Sequence, residues 1–233
     1  MIKKEFTDLN IPMPTEKDKE TIGVTTPVLQ TSFISLIVGK PGSGKTHLLR
    51  TMITNDKFYG KKFKYVFIVS PILIKDLVDD VDDDAYSPSL TVDWLYQKID
   101  FLKKENNTKD FNVCFILDDV VSDLAKLVFN NLFLKLFYNR RWLVPNCTIH
   151  WIITSQKFTA VPTKIRSVIT SIAFFNVSPI DYEKIRTECL FASSKSLLDS
   201  YVTCIFKESK YNFIYCKLDT CEIYKNFSAL LNI

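Results

Sequence analysis

Residues 33–46 read Phe33-Ile34-Ser35-Leu36-Ile37-Val38-Gly39-Lys40-Pro41-Gly42-Ser43-Gly44-Lys45-Thr46. The first six form a short apolar run rich in β-branched residues, the signature of a buried strand. The next eight satisfy G-x-x-x-x-G-K-[ST], and His47 to Asn55 has helical character. Strand, glycine loop and helix in that order make a phosphate cradle: glycines let backbone N–H groups turn inward, the lysine reaches the β/γ-phosphates, and the hydroxyl ligates Mg²⁺. Three of only five glycines in the chain lie between positions 39 and 44, so the pattern is concentrated where its chemistry needs it.

Further apolar runs with strand character follow at Tyr65 to Ser70, Val113 to Leu117, Cys147 to Thr154 and Ser171 to Val177. Between them, helices are predicted over Val92 to Lys104, where Trp94, Leu95, Ile99 and Leu102 share a face, over Val121 to Tyr138 and over Tyr182 to Leu190. Continuous hydrophobic strands alternating with helices predict an α/β fold of the P-loop NTPase type, a mostly parallel central sheet covered by helices on both faces. Tyr201 to Phe206 and Tyr211 to Cys216 read as an antiparallel hairpin closing the chain. Residues 1–30, polar and with Pro12, Pro14 and Pro27, read as an N-terminal arm, leaving 31–233 as a single domain.

Composition agrees with a globular chain. Of 233 residues, 47% are hydrophobic and 24% charged; 5 Gly and 9 Pro exclude collagen-like and linker-rich architectures, while 18 Phe and 10 Tyr predict an aromatic core. The formal charge of +4 conceals an acidic run, Asp76, Asp79, Asp80, Asp82, Asp83 and Asp84, without which the remainder carries +10. The run reads as a solvated loop, and the basic remainder is compatible with a polyanionic partner, with Lys61, Lys62, Lys64, Lys103 and Lys104 as positions able to follow a phosphate backbone. The six cysteines show no C-x-x-C pair and only two histidines accompany them, which argues against zinc and for free thiols in a reducing compartment. The stretch MIKKEFTDLNIPMP lacks a signal-peptide core and no run reaches the length of a membrane span, so an intracellular, soluble protein is expected.

The candidate nucleotide-contacting segment is Gly39, Lys40, Pro41, Gly42, Ser43, Gly44, Lys45, Thr46 and His47, although the imidazoles of His47 and His150 read more naturally as helix-surface and strand-packing groups. Asp118 ends a buried strand, where a P-loop protein holds Mg²⁺ together with Thr46. Asp119 beside it is the candidate for polarising the attacking water; its alternative use is to cap the helix near Val121. Gln156, at the end of the next strong strand, is placed to contact the γ-phosphate or its water, unless it is merely a solvent-exposed strand end. Arg140, Arg141 and Arg166 are candidates for a transition-state arginine from a neighbouring subunit, Arg141 foremost, or else pair with surface acids.

The succession GKPGSGKT, KYVFIVSP, FILDDV, NRRW, IHWIITSQ, VPTKIRS and SIAFFNV resembles the poxvirus-type DNA-packaging ATPases of large DNA viruses and virophages, members of the FtsK/HerA superfamily. The resemblance covers roughly residues 30–180, and its most specific part is the glutamine-ended strand after an arginine, with the proline–arginine segment behind it. It implies a homo-oligomeric ring, expected to be hexameric, that hydrolyses ATP with Mg²⁺ and drives double-stranded DNA into a preformed capsid. It also implies contact with viral capsid proteins, and location in the virion or at the assembly site in the host cytoplasm. By the same resemblance Asp118 is the metal acid, Asp119 the catalytic acid, Gln156 the sensor and Arg141 the intersubunit finger. Two other functions fit a P-loop chain of this length, a small-molecule (nucleotide) kinase and a nucleotide-gated DNA-binding adaptor that binds ATP without turnover.

Overall fold

The computed structural model describes residues 28–29, 31–72, 83–105, 109–190 and 194–231. The proposed arm, apart from Val28 and Leu29, and most of the acidic run lie outside them. The strands are β1 (Ile34–Val38), β2 (Tyr65–Val69), β3 (Tyr86–Ser87), β4 (Phe111–Asp118), β5 (Cys147–Ser155), β6 (Ser171–Phe174), β7 (Ile214–Lys217), β8 (Glu222–Lys225) and β9 (Ala229–Leu230). They form one sheet in the order β3-β2-β4-β5-β1-β6-β7-β8-β9. The first six in that order run parallel, and β7, β8 and β9 are antiparallel additions.

The helices are α1 (Lys45–Thr54), α2 (Val92–Lys104), α3 (Val121–Leu127), α4 (Asn131–Tyr138), the single turn α5 (Thr163–Arg166), α6 (Pro179–Cys189) and α7 (Lys195–Glu208). Alternation along the strands divides the core in two, as the period of two requires. Ile34, Leu36 and Val38 of β1, Val113, Phe115 and Leu117 of β4, and Ile149, Trp151 and Ile153 of β5 face α2 to α7. Ile37, Cys114, Ile116 and Ile152 face α1, with Tyr59 and Phe33 beside them. The expected two-sided cover is present but unequal, since α1 is the helix packed on the second face among the described residues. Ring contacts join the first layer: Phe67 tilts against Phe115 at 5.0 Å, and Trp151 stacks on Phe115 at 4.7 Å and on Phe137 at 4.3 Å.

Two expectations need correction. The span Val121 to Tyr138 is two helices, because Asn130 interrupts it: its N–H donates to Leu127 O and its side-chain oxygen accepts from Phe133 N, opening a new helix. Tyr201 to Phe206 is not a hairpin arm but the second half of α7. Leu198, Val202 and Ile205 lie at helical spacing and are buried, and Ser194 caps the helix by accepting from Leu197 N. The β-branched and aromatic residues there look strand-like in isolation, and burial of that stripe overrides the propensity. The antiparallel ending itself is present, as β7 and β8 around a turn at residues 218–221. Among the described residues no helix is long and apolar enough to cross a membrane, and all six cysteines are free, four of them buried.

His150 packs inside β5, 4.6 Å from the ring of Phe33 and 5.4 Å from that of Phe63. Its Nε2 sits 3.0 Å from Asn112 Oδ1, to which it donates, and Nδ1 has no partner. Burial, reinforced by the charges of Arg140 and Arg141, pushes its pKa down to about 3. The folded state therefore refuses a proton that the unfolded chain accepts near pH 6.5, so stability is complete above that pH and drains away between it and about 3. At pH 5 this group costs about 2 kcal/mol relative to pH 7. Urea unfolding of His150→Phe at the two pH values is expected to show a smaller acid loss than the wild type by that amount.

Candidate nucleotide site

The site grows from the level ends of three adjacent parallel strands. In the ladder Val38 pairs with Ser155 and Thr154 with Asp118, so β1, β5 and β4 deliver their carboxyl ends side by side. With neighbouring strands about 4.8 Å apart, the glycine loop and Asp118 stand roughly 10 Å from each other, with Gln156 at the tip between them. The loop is locked to this edge by Gly39 N donating to Ser155 O at 3.1 Å. Gly39 admits no side chain, since a Cβ there would lie 2.5 Å from Ser43 Oγ and 3.0 Å from Phe175 Cβ.

Gly44, at φ +104°, turns the chain into α1. That helix begins with no side-chain cap and no acid in its first turn, so its N–H groups and dipole are directed to an anion. Lys45 Nζ donates to Gly39 O at 2.7 Å and Lys40 O at 3.2 Å. Burial pulls its pKa below the ordinary lysine value, against the opposing pull of Asp119 and Asp118, which places both carboxylates within electrostatic reach of the ammonium. Thr46 and His47 are exposed on the first turn.

Asp118 is buried and held at both oxygens: Thr154 Oγ1 donates to Oδ1 at 2.7 Å and Ser70 Oγ to Oδ2 at 3.1 Å. The same Thr154 hydroxyl accepts from Asp119 N at 3.1 Å. Asp119 adopts φ +54° and is exposed. It does not cap α3, whose N-cap is Val120 without a side-chain bond; instead its Oδ2 accepts from Gln156 Nε2 at 2.6 Å. The structure thus brings Lys45, Asp118, Asp119 and Gln156 to one edge. A hydroxyl from Thr46 and a carboxylate from Asp118 are hard oxygen donors of the kind Mg²⁺ takes beside phosphates and water, so the donor set fits that ion.

The arginines separate. Arg140 donates to Phe137 O at 3.1 Å and Ser32 O at 3.4 Å, and its carbonyl accepts from Ile149 N, which fixes this loop at the amino ends of β1 and β5. Arg141 is exposed next to it. From Ile149 to Gln156 is roughly 20 Å of strand, so Arg141 does not reach its own loop. Arg166 is engaged within its own chain. Its guanidinium bonds Glu188 twice, at 2.8 and 3.1 Å, donates to Val161 O at 2.7 Å and stacks on Phe158. Lys61, Lys62 and Lys64 precede β2, and Lys103 and Lys104 end α2. Lys64 pairs with Glu105, which joins these two groups at the edge where β2 and β4 begin.

A model of the Poxvirus A32 protein family matches residues 25–221. The chain belongs to that family. Comparison with curated protein sequences finds no match. The sulfate complex of the genome packaging NTPase B204 from Sulfolobus turreted icosahedral virus 2 is 14% identical, with a TM-score of 0.64 over 84% of this chain and 96% of that one. Its ATP-gammaS complex gives 0.62 at 14% identity over 83% and 96%. B204 described as the DNA-packaging ATPase of Sulfolobus turreted icosahedral virus gives 0.60 at 14% identity over the same shares. At this identity the likeness is one of fold, and the fold is that of the P-loop NTPases expected from residues 33–46.

Thr154 and Ser70, which orient Asp118, were not singled out by sequence. Their signal is a hydroxyl residue at the end of an otherwise apolar strand, in Trp151-Ile152-Ile153-Thr154 and Phe67-Ile68-Val69-Ser70. Thr154→Val removes both bonds while keeping the shape of the side chain, leaving Asp119 N without its acceptor. A loss of about 1–3 kcal/mol is expected in the unfolding free energy read from denaturant titration, whereas Ser155→Ala, next along the strand, leaves the Asp118 contacts in place.

Proposed function

We propose that this chain is an ATP-hydrolysing motor subunit that moves double-stranded viral DNA into a preformed capsid, acting in a ring of like subunits. The observation that carries the reading is the contact of Gln156 Nε2 with Asp119 Oδ2 at 2.6 Å, on the same edge as Lys45 and Asp118. An acid that neither caps a helix nor holds the buried position of Asp118 is free to polarise a water, and an amide bonded to it can report whether a γ-phosphate is present. Membership of the A32 family and the fold shared with a genome packaging NTPase support the assignment to packaging.

In this reading the loop N–H groups and Lys45 bind the phosphates. Asp118, fixed by Thr154 and Ser70, and Thr46 would hold Mg²⁺, which would supply neutralisation of the phosphate charge. Asp119 orients the water and takes its proton. Arg141, remote from its own loop, serves the loop of the next subunit. The basic groups at the amino edge of β2 and β4 supply contacts to the DNA backbone, a sequence-independent grip whose strength falls with salt. Capsid proteins are the partner at assembly, in the virion or the host cytoplasm.

ATP turnover measured with and without duplex DNA, alongside light scattering, tests the proposal. Stimulation by DNA in an oligomer is expected, with a fall of at least about 100-fold for Asp119→Asn at unchanged unfolding midpoint. Lys45→Ala and Arg141→Ala are each expected to be inactive alone and to recover activity when co-expressed, because mixed rings contain interfaces with one intact loop and one intact finger. No recovery refutes the role of Arg141 in trans; transfer of phosphate to a nucleoside monophosphate instead of water refutes the motor.

A further inference from the structure

A groove of about 630 Å³ opens beside the amino end of α1. It lies on the β6 and β7 side of β1, whereas Asp118, Asp119 and Gln156 stand on the β5 and β4 side. Gly44, the last glycine of the phosphate loop, is shared between the two: a Cβ on it would lie 3.5 Å from Tyr211 Cδ1 and 3.6 Å from Phe175 Cε1. A triphosphate whose terminal phosphate points to the acids must send its other end toward these rings. The walls are mostly aromatic and apolar, with His47, Thr51 and Asn226 as the polar members, Thr51 being engaged with His47 O. Phe175 and Phe213 approach at 5.5 Å, Phe213 and Phe227 at 4.9 Å, and Tyr211 stands at the rim, 58% exposed.

A second observation concerns how one wall is made. Lys225 O accepts from Ser228 N in a β-turn within the three-residue connection between β8 and β9, and the central residues of that turn are Asn226 at φ +49° and Phe227 at φ +62°. Such a turn favours Asn-Gly, and here a phenylalanine fills the glycine position. A bulky side chain in the left-handed region is uncommon and concentrates at ligand sites. Asn226 is engaged in fastening this turn, its Oδ1 accepting from Phe213 N and its Nδ2 donating to Asn212 Oδ1.

We propose that the groove holds the base of a bound nucleotide by stacking, with Tyr211 as the stacking residue; the assignment rests on the nucleotide reading of the phosphate loop. Every base has an aromatic face to stack, and a pocket that grips by apolar contact discriminates far less than one built on hydrogen bonds to the base edge. Adenine and guanine nucleotides are therefore accepted alike.

Dissociation constants of non-hydrolysable ATP and GTP analogues and of inorganic tripolyphosphate test this on the full chain. Tyr211→Ala is expected to weaken both nucleotides about tenfold, to leave tripolyphosphate unchanged, and to unfold at the wild-type midpoint because the ring is exposed. Tyr211→Phe is expected to bind as the wild type does. The two nucleotides are expected to agree within about tenfold. Unchanged nucleotide binding by Tyr211→Ala, an equal loss for tripolyphosphate, or rejection of one purine by a thousandfold overturns the base assignment alone. A wild-type protein that binds neither nucleotide nor tripolyphosphate overturns the nucleotide reading itself.

Discussion

The ladder pairs of three parallel strands, Thr154 with Asp118 and Ser155 with Val38, decide what meets at the working edge of this protein. The pairing is set by burial. Every residue of β5 is buried, and β1 is buried throughout. A slip of one residue would turn each strand's apolar set to the wrong face. Trp151, stacked between Phe115 and Phe137, is the largest of the residues such a slip would misplace. Packing energy far from the site thus fixes the site, and Asp118, Asp119 and Gln156 need supply none of it. One hydroxyl, on Thr154, then converts this coarse alignment into a fine one by tying Asp118 Oδ1 to the backbone of Asp119.

Asymmetry about β1 organises the rest. Its β5 side ends in acids and an amide, and its β6 side ends in aromatic rings. Charge and hydrogen bonding suit a reacting phosphate, while stacking suits a flat apolar group. Gly44 stands where the two surfaces join, and its φ of +104° lets the chain turn into α1 without a side chain intruding on either. Of the left-handed residues in the neighbourhood, Asp119 stands at one surface and Phe227, beside the left-handed Asn226, at the other. Both are non-glycine residues in backbone regions that cost energy, which the packed strands on either side sustain.

Most of this was legible in the sequence where a single physical signal dominates. Residues 33–46 disclose strand, loop and helix because glycine has few other reasons to cluster, and Asp118 stands out as an acid ending an apolar run. Legibility failed where two signals compete. Tyr201 to Phe206 has the residue types of a strand and the spacing of a helix, and the burial of Leu198, Val202 and Ile205 in the fold decides between them. Arg166 showed a charge but not its partner, because Glu188 comes from α6 and only the fold brings it within 2.8 Å. The aromatic groove was invisible for the same reason. Phe175, Tyr211 and Phe227 are drawn from three separate stretches, and aromatic residues in a chain so rich in them carry no positional information alone.

The two ends of β5 carry the consequence that reaches furthest. Gln156 follows its carboxyl end and contacts Asp119, while Arg140 is hydrogen-bonded through its carbonyl to Ile149 near the amino end, with exposed Arg141 next in the chain. A fully buried strand in the middle of a sheet is a stiff connection, because close-packed interiors have low compressibility and transmit strain. Within the proposed ring, with Arg141 as its proposed finger, a change at Gln156 on cleavage of the γ-phosphate would be felt at the arginine loop. Each subunit's chemistry would then bias the next one's readiness to fire. A loop held to the strand by ordinary backbone bonds, and tied by Arg140 to the amino end of β1 as well, follows the sheet as a body, which is what ordered firing around a ring requires and what a flexibly tethered finger would not provide.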